Sequence, residues 1–174
     1  PRATNTRNTR ERETGKVSGR SQEIQRLIGR SLRAVTNLDT LGERTVHIDC
    51  DVIQADGGTR TAAITGAYVA LNQALQMLVK SRELTQVPLI CPVAAISVGI
   101  LNGELLLDLC YEEDFVADVD FNVVLTAQGG LVELQGAAEA LPFPRQQVEE
   151  VLSLASRGME TLFRVQREAF QGFQ

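Results

Sequence analysis

The sequence predicts an α+β fold, a single domain in which helices pack against one mixed β-sheet. Three observations lead to this expectation. The chain has 174 residues, of which 44% are hydrophobic and 22% are charged, which is typical of one soluble globular domain. Three segments repeat apolar residues at spacings of three and four, as amphipathic helices do. Short apolar or alternating segments between turn residues indicate strands.

The first helix is expected to begin at Ser21 as its N-cap and to end by Asn37 and Asp39. The next segment, residues 44–52, alternates apolar and polar residues, which predicts a half-buried strand. His47 is the only histidine and lies on the polar face of that strand, so no chemistry is assigned to it.

The remaining elements follow from apolar runs and turn residues. A second helix is expected to reach about residue 84, and the uniformly apolar residues 93–101 predict a central strand covered on both faces. Asn102-Gly103 predicts a tight turn into a strand at 104–109. After an acidic loop, strands at 119–126 and 131–135 and a closing helix at about 145–170 complete the expected order.

Composition narrows the possible classes of protein. No apolar run approaches the ~20 residues that span a bilayer, and the first residues do not resemble a signal peptide. The three cysteines are widely spaced, so they are interpreted as buried thiols of a reducing cytoplasm. The aromatic content of 5% argues against a stacking platform for single-stranded nucleic acid.

Charge is distributed unevenly along the chain. The net charge is −5, but residues 1–33 hold nine basic and three acidic residues, whereas the remainder holds eight basic and nineteen acidic residues. Residues 1–19 contain few large apolar side chains and are interpreted as an arm, with residues 20–174 as the globular body. The asymmetry favours an arm that binds a polyanion, although a basic tail without such a role has the same composition.

The turn at residues 57–60, Gly-Gly-Thr-Arg, precedes the second helix. The start of a helix has unpaired N–H groups that attract anions, and Arg60 can hold a phosphate with two hydrogen bonds. The alternative is an ordinary connection between a strand and a helix. The spacing of a P-loop is absent.

Carboxylates cluster between residues 108 and 120. The cluster comprises Asp108, Glu112, Glu113, Asp114, Asp118 and Asp120. Oxygen ligands of this kind suit Mg²⁺ or Mn²⁺, and a solvated acidic loop is the alternative. With a basic arm and a phosphate turn beside such carboxylates, the sequence indicates phosphoryl chemistry on a nucleic acid. Because the only histidine, His47, is assigned no chemistry, no Ser-His-Asp arrangement is expected.

Several motifs together resemble the bacterial ribonuclease PH family. They are Pro1-Arg2-Ala3-Thr4, the segment from Gly19 to Arg30, Ile48-Asp49-Cys50-Asp51-Val52, the segment from Gln54 to Ala62, Tyr111-Glu112-Glu113-Asp114, Ala117-Asp118-Val119-Asp120 and Glu133-Leu134-Gln135-Gly136. The resemblance extends over essentially the whole chain. It implies a sandwich of the ribosomal protein S5 domain 2-like type.

The resemblance also implies a function. Ribonuclease PH enzymes are cytoplasmic phosphorolytic 3′-to-5′ exoribonucleases that trim transfer-RNA precursors with orthophosphate and release nucleoside diphosphates. They assemble as homohexamers, trimers of dimers, and act on RNA rather than DNA. A catalytically silent RNA-binding ring subunit of the same superfamily is the alternative, and a metal-dependent hydrolytic nuclease is a third reading.

The resemblance assigns roles by position. Orthophosphate would be held by Arg20, Gly58, Thr59 and Arg60, and RNA would be contacted by Arg2, Arg7, Arg10 and Arg12. Asp114 and Asp120 would be catalytic and would hold Mg²⁺ or Mn²⁺, with Asp118 as a neighbouring candidate. These roles require Arg60 and Asp120 to share one cleft. Family members normally have strands before the Pro-Arg-Ala-Thr motif, so the chain is expected to lack that segment. Phe115 and Ala137 differ from common family residues.

Overall fold

The computed structural model describes residue 15 and residues 17–139 and 141–171. Its elements are α1 (Gly19–Ala34), α2 (Leu38–Leu41), α3 (Thr59–Lys80), β1 (Val93–Leu101), β2 (Glu104–Leu107), α4 (Tyr111–Val116), β3 (Val119–Thr126), β4 (Leu131–Ala138) and α5 (Gln146–Gln171). The fold is α+β, as the sequence predicts.

The sheet has the order β2-β1-β3-β4, and every pair of its strands is antiparallel within the described residues. The expectation of a mixed sheet is therefore wrong. Two tight turns join β1 to β2 and β3 to β4, and parallel neighbours would need crossover connections of a dozen or more residues. The short α4 connection instead returns the chain beside β1. The prediction that residues 93–101 form a central strand is confirmed.

The strand predicted at residues 44–52 is also wrong, because this segment belongs to none of the strands found in the described residues. The alternation is nevertheless visible in its burial, since Ile48 and Cys50 are half-buried against the core while His47 is exposed. Alternating apolar and polar residues indicate only that one side of an extended segment is buried. A strand additionally needs a neighbour that completes its hydrogen-bond ladder.

Helices cover both faces of the sheet and create two cores. One core lies under α1 and α3 and includes Leu27, Ile64, Leu71, Leu75 and Val124. The other lies under α5 and includes Ile96, Val98, Phe121, Val123 and Met159. Successive strand residues point to opposite faces of the sheet. Side chains along β1 and β3 therefore enter the two cores alternately.

Gln166 connects the two sides of the fold. This α5 side chain is 2% exposed, and its Nε2 donates to the carbonyl oxygens of Thr65 in α3 and Val93 in β1, at 3.2 and 3.0 Å. A buried amide needs such partners to offset its desolvation. The contact therefore fixes the end of α5 against the beginning of the sheet.

Several boundaries differ from the sequence predictions. Ser18, not Ser21, is the N-cap of α1, since its hydroxyl accepts the Ser21 N–H. Helix α3 ends at Lys80, and β4 continues to Ala138. The segment predicted as an acidic loop contains the six-residue helix α4.

Among the described residues, α3 is the one helix that is long and apolar enough to cross a membrane by length and composition, with a mean hydropathy of 1.2 in its most apolar window. Its buried side chains, including Ile64, Leu71 and Leu75, contribute to the core under α1 and α3. These side chains form the buried stripe of α3, and 28% of that window is buried.

Candidate functional site

The structure brings Arg60 and Asp120 into direct contact, although 60 residues separate them in the chain. Arg60 Nη2 lies 3.2 Å from Asp120 Oδ2, and Arg60 Nη1 lies 3.3 Å from Glu23 Oε1. The two side chains of the first pair are 29% and 21% exposed. One guanidinium therefore joins α1, α3 and β3, and we call the region between these three elements the cleft.

The alternation of β3 places Asp120 on this side of the sheet. Its neighbours Val119 and Phe121 point into the core under α5, so Asp120 points toward α3. Its register partner on β1 is Gly99, and its partner on β4 is Ala137. The Leu109 side chain occupies the space beside Gly99, where an added Cβ would lie 2.5 Å from Leu109 Cδ1.

The glycine turn before α3 is closely packed. A Cβ on Gly57 would lie 1.9 Å from the carbonyl oxygen of Leu109, closer than non-bonded atoms can approach. Gly58 has a φ of +66°, a conformation that glycine adopts without strain. The two glycines therefore let the turn pack against the segment before α4, and the first amides of α3 remain oriented outward from the helix end.

Asp56 ties this turn to α4. Its Oδ1 accepts the N–H groups of Gly57 and Tyr111, at 2.9 and 2.6 Å. The anion-attracting start of α3 and the acidic helix α4 are consequently held side by side. No sequence pattern marks Asp56 as functional, although it immediately precedes the Gly-Gly pair.

The surroundings of the Asp120 carboxyl shift its pKa. Burial raises its pKa above the ordinary value, the charge and hydrogen bond of Arg60 oppose the rise, and the charges of Asp114 and Glu139 add to it. Asp114 and Glu139 thus lie within electrostatic range of Asp120. Glu139 directly follows β4 and belongs to no motif in the sequence.

The carboxylates at Asp114 and Asp120 have the chemistry that a divalent cation would require. Asp114 and Asp120 supply hard oxygen ligands, and their mutual repulsion would be relieved by a cation. The described residues contain no group of three or more His, Cys, Asp or Glu side chains arranged to hold a metal ion. Mg²⁺ commonly uses one or two carboxylates together with water and substrate phosphates, which matches this pair.

Asp118 is engaged elsewhere. Its Oδ2 accepts the N–H of Asn102 at 2.8 Å, and its own N–H donates to Ile100. It precedes β3 instead of sharing a strand face with Asp120. The structure therefore places Asp118 at the β1–β2 turn, where it stabilises the hairpin.

Arg20 lies one helical turn before Glu23 in α1, and residues three apart share a helix face. Since Glu23 contacts Arg60, Arg20 lies on the side of α1 that borders the cleft. Thr59 is half-buried at the first position of α3. Arg2, Arg7, Arg10 and Arg12 lie outside the described residues.

A row of polar residues lies on the same face of the sheet as Asp120. Ser97, Asn122 and Gln135 are register partners on β1, β3 and β4, and Ser97 and Asn122 are 2% and 4% exposed. The Ser97 hydroxyl finds no hydrogen-bond partner among the described residues. Polar residues at the centre of a sheet were detectable in the sequence as interruptions of two apolar strands.

Comparisons with known proteins define the class. Residues 1–75 match the RNase PH profile, the 3′ exoribonuclease family, domain 1, and residues 91–158 match domain 2 of that family. Together the two matches cover most of the chain. The chain belongs to the 3′ exoribonuclease family and thus to the ribonuclease PH superfamily of phosphorolytic exoribonuclease-like proteins.

Solved structures share the fold. Rice (Oryza sativa) Rrp46 matches with a TM-score of 0.63 and 21% identity, over 90% of this chain and 68% of that one. A chain of an archaeal exosome core matches with a TM-score of 0.65 and 17% identity, over 86% of this chain and 63% of that one. The chain thus spans about two thirds of the length of these structures.

Proposed function

We propose that the chain is a phosphate-dependent 3′-to-5′ exoribonuclease that trims the 3′ ends of transfer-RNA precursors. The observation that carries this proposal is the contact of Arg60 with Asp120. This contact joins an anion-attracting helix start to Asp120 on the sheet, and Asp120 lies within electrostatic range of Asp114 on α4. An enzyme that brings orthophosphate to an RNA phosphodiester needs both features at one place.

Orthophosphate would be held at the start of α3. The amides of the first helical turn offer N–H donors and a partial positive charge. Thr59 adds a hydroxyl, and Arg60 and Arg20 add positive charge. In the structure Arg60 is shared between Glu23 and Asp120, so a bound phosphate would compete for a guanidinium that is already oriented toward the cleft.

The RNA end would be held at the carboxylates. Asp114 and Asp120 would bind Mg²⁺ or Mn²⁺, which would supply positive charge to offset that of the scissile phosphodiester. Glu139 adds negative charge beside Asp120 and would strengthen the attraction of a cation. Arg2, Arg7, Arg10 and Arg12 would contact the RNA backbone without reading its sequence.

The reaction would then be a transfer between two oriented phosphates. An oxygen of orthophosphate forms a bond to the terminal phosphorus, and the bond from that phosphorus to the preceding 3′ oxygen breaks. The 3′ oxygen leaves as a hydroxyl after taking one proton, and the product is a nucleoside diphosphate. Arg60 would contribute by holding the attacking anion close to the second anion.

The test is a trimming assay on a transfer-RNA precursor with and without orthophosphate. The proposal expects shortening from the 3′ end only with phosphate and divalent cation present, with nucleoside diphosphates as products. Shortening at the same rate without phosphate, with nucleoside monophosphates released, would identify a hydrolytic nuclease and contradict the proposal.

A second candidate is a catalytically silent, RNA-binding subunit of a ring. The fold similarity to a chain of an archaeal exosome core favours it. Arg20, Arg60, Asp114 and Asp120 are all retained, which supports the enzyme instead. RNA binding without phosphorolysis in the assay above would favour the silent subunit. We further propose a cytoplasmic homohexamer, a trimer of dimers, which native mass measurement would detect.

A further inference from the structure

Helix α4 presents two aromatic rings to solvent. Tyr111 and Phe115 are 60% and 77% exposed. They stand one helical turn apart, with ring centroids separated by 6.2 Å and ring planes inclined by 31°. We call these two residues the aromatic pair.

The exposure of the pair sets it apart from the other aromatic residues. In the part of the chain that the structure describes, the others are buried or half-buried, namely Tyr68, Phe121, Phe143, Phe163 and Phe170. Burying a large apolar side chain is worth about 1.5–3 kcal/mol, so two adjacent exposed rings forgo much of this gain. Such patches commonly mark binding surfaces.

The position of the pair identifies what it adjoins. The N–H of Tyr111 donates to Asp56, which holds α4 against the glycine turn. Asp114 lies three residues after Tyr111 and therefore on the same side of the helix, and its charge acts on Asp120. The aromatic pair consequently borders the cleft that contains Arg60 and Asp120.

We infer that the aromatic pair stacks against the nucleobase of the 3′-terminal nucleotide of the RNA, an inference that rests on the proposed function. Every base has a π-face, so stacking accepts any of the four bases, as a trimming enzyme requires. The carboxylates of Glu112 and Glu113 on the same helix disfavour contact with RNA phosphates, and Asp114 would approach a phosphate only through the proposed cation. The base is therefore the part of the nucleotide that suits contact with the aromatic pair.

The low aromatic content of the chain does not conflict with this inference. Composition counts rings without locating them, and the structure places both exposed rings beside the reacting groups. Phe115 directly follows Asp114 in the chain, so an exposed ring stands next to one of the proposed cation ligands.

The test compares the affinities of two RNAs for three proteins. Orthophosphate is left out so that no turnover occurs. A short oligoribonucleotide and the same RNA with an abasic 3′-terminal nucleotide are titrated by fluorescence anisotropy. The proteins are the wild-type chain, the double variant Tyr111→Ala/Phe115→Ala and a control, Met77→Ala. Met77 is 69% exposed and lies 18 residues after Thr59 on α3, about 27 Å away along the helix axis.

Removing the two rings and removing the terminal base are expected to cost the same part of the RNA affinity. The double variant binds intact RNA about 5- to 100-fold more weakly than the wild type. The abasic RNA binds the wild type with a similar loss, and the double variant binds the two RNAs equally. Met77→Ala behaves as the wild type. Both substituted rings are exposed, so circular dichroism is expected to show an unchanged fold.

Other results overturn the inference in distinguishable ways. If the double variant still discriminates between the two RNAs as the wild type does, the pair does not stack on the terminal base, and the proposed function is unaffected. If it keeps that discrimination and its native mass falls, the pair is a contact between copies of the chain. If the wild-type chain neither binds nor trims RNA, the proposed function itself fails.

Discussion

At the scale of single residues, Arg60 is the group on which the proposed phosphate site depends. It contacts carboxylates from two other elements, Glu23 and Asp120. A lysine could keep the charge but not the planar fork that holds two partners at once. The Arg60 side chain therefore provides geometry as well as charge.

Replacing Arg60 tests the phosphate site. Arg60→Ala is expected to raise the KM for orthophosphate by about 10- to 100-fold, since it removes a charge-assisted hydrogen bond, and Arg60→Lys is expected to recover only part of this loss. The measurement is initial rate against phosphate concentration. Arg164→Ala is the matched control, because Arg164 is exposed and pairs with Glu168 on α5. Equal KM values for all four proteins would contradict the assignment.

Asp120→Asn is expected to lower turnover by at least about 10²-fold, the effect of removing one electrostatic contact to a transition state. It is expected to change RNA affinity much less than turnover. Single-turnover rates and anisotropy titrations separate the two. An equal loss of RNA affinity in Asp120→Asn and Arg60→Ala would show that the roles are misassigned.

The same substitution has an effect on stability whose sign is fixed by the raised pKa of Asp120. Because the folded pKa lies above the unfolded one, ionisation of Asp120 opposes folding. This penalty is complete above the folded pKa and absent below the ordinary value of 3.8, where the carboxyl is protonated in both states.

Asp120→Asn is therefore expected to raise the Tm at pH 7 in the presence of a chelator, and the difference from the wild type is expected to shrink as pH falls toward 4. Thermal unfolding followed by circular dichroism at several pH values is the measurement. A variant that is less stable than the wild type at pH 7, or a difference that grows on acidification, would contradict the raised pKa.

Part of the site could be predicted from the sequence and part could not. Arg60 and Asp120 stand out because the Gly-Gly-Thr-Arg turn and a carboxylate within an apolar strand are both unusual. No such pattern marks Glu23, Asp56 or Glu139, since each is an ordinary polar residue near the end of a helix or strand. Their role depends on how α1, α4 and β4 are arranged in space, which local patterns do not contain.

At the scale of elements, the junction between the glycine turn and α4 shapes the cleft. Gly57 lies against the backbone of Leu109, and Asp56 binds the first amide of α4. Both contacts involve backbone atoms, which cannot move aside as a flexible side chain can. The relative position of the phosphate turn and the carboxylates therefore depends on the absence of a side chain at residue 57.

Two alanine substitutions at glycines test this junction. Gly57→Ala is expected to lower the free energy of unfolding by at least about 1–3 kcal/mol, the typical cost of overpacking, and to reduce trimming. Gly66→Ala is the control, because this glycine lies inside α3 with open space at its Cβ. It is expected to gain about 0.5–1 kcal/mol. Urea unfolding measures both, and an unchanged Gly57→Ala protein would contradict the close packing.

The elements that the sequence predicted well are those with strong periodicity, namely the first and last helices and the strand at 93–101. The strand at 44–52 was wrong because alternation specifies a buried side but not a ladder partner. The mixed sheet was wrong because strand direction follows from connections, and the short turns at Asn102 and Gly129 permit only antiparallel neighbours. The six-residue α4 is too short to give a helical pattern.

At the scale of the whole molecule, basic charge is concentrated at the N-terminal end and acidic charge elsewhere. A polyanion is expected to approach the basic end and to be repelled by the acidic remainder. The core under α1 and α3 holds these two helices against the sheet face that carries Asp120. The basic end is thereby connected, through α1, to the residues that contact Arg60.

Replacing Arg2, Arg7, Arg10 and Arg12 together by alanine is expected to weaken RNA binding and to flatten its dependence on salt. Each lost phosphate contact on single-stranded RNA reduces the slope of log affinity against log salt by about 0.7. Binding titrations at several salt concentrations measure this, and the rise in Tm caused by orthophosphate serves as the control and is expected to be unchanged. An unaltered slope would exclude these arginines from the RNA interface.

The most direct test of the central claim is the fate of isotopically labelled orthophosphate. The chain is incubated with RNA, divalent cation and ¹⁸O-labelled orthophosphate, and the released nucleotides are analysed by mass spectrometry. The account predicts nucleoside diphosphates whose β-phosphate carries the label, and no such product from Arg60→Ala/Asp120→Asn. Release of unlabelled nucleoside monophosphates at an undiminished rate would contradict it.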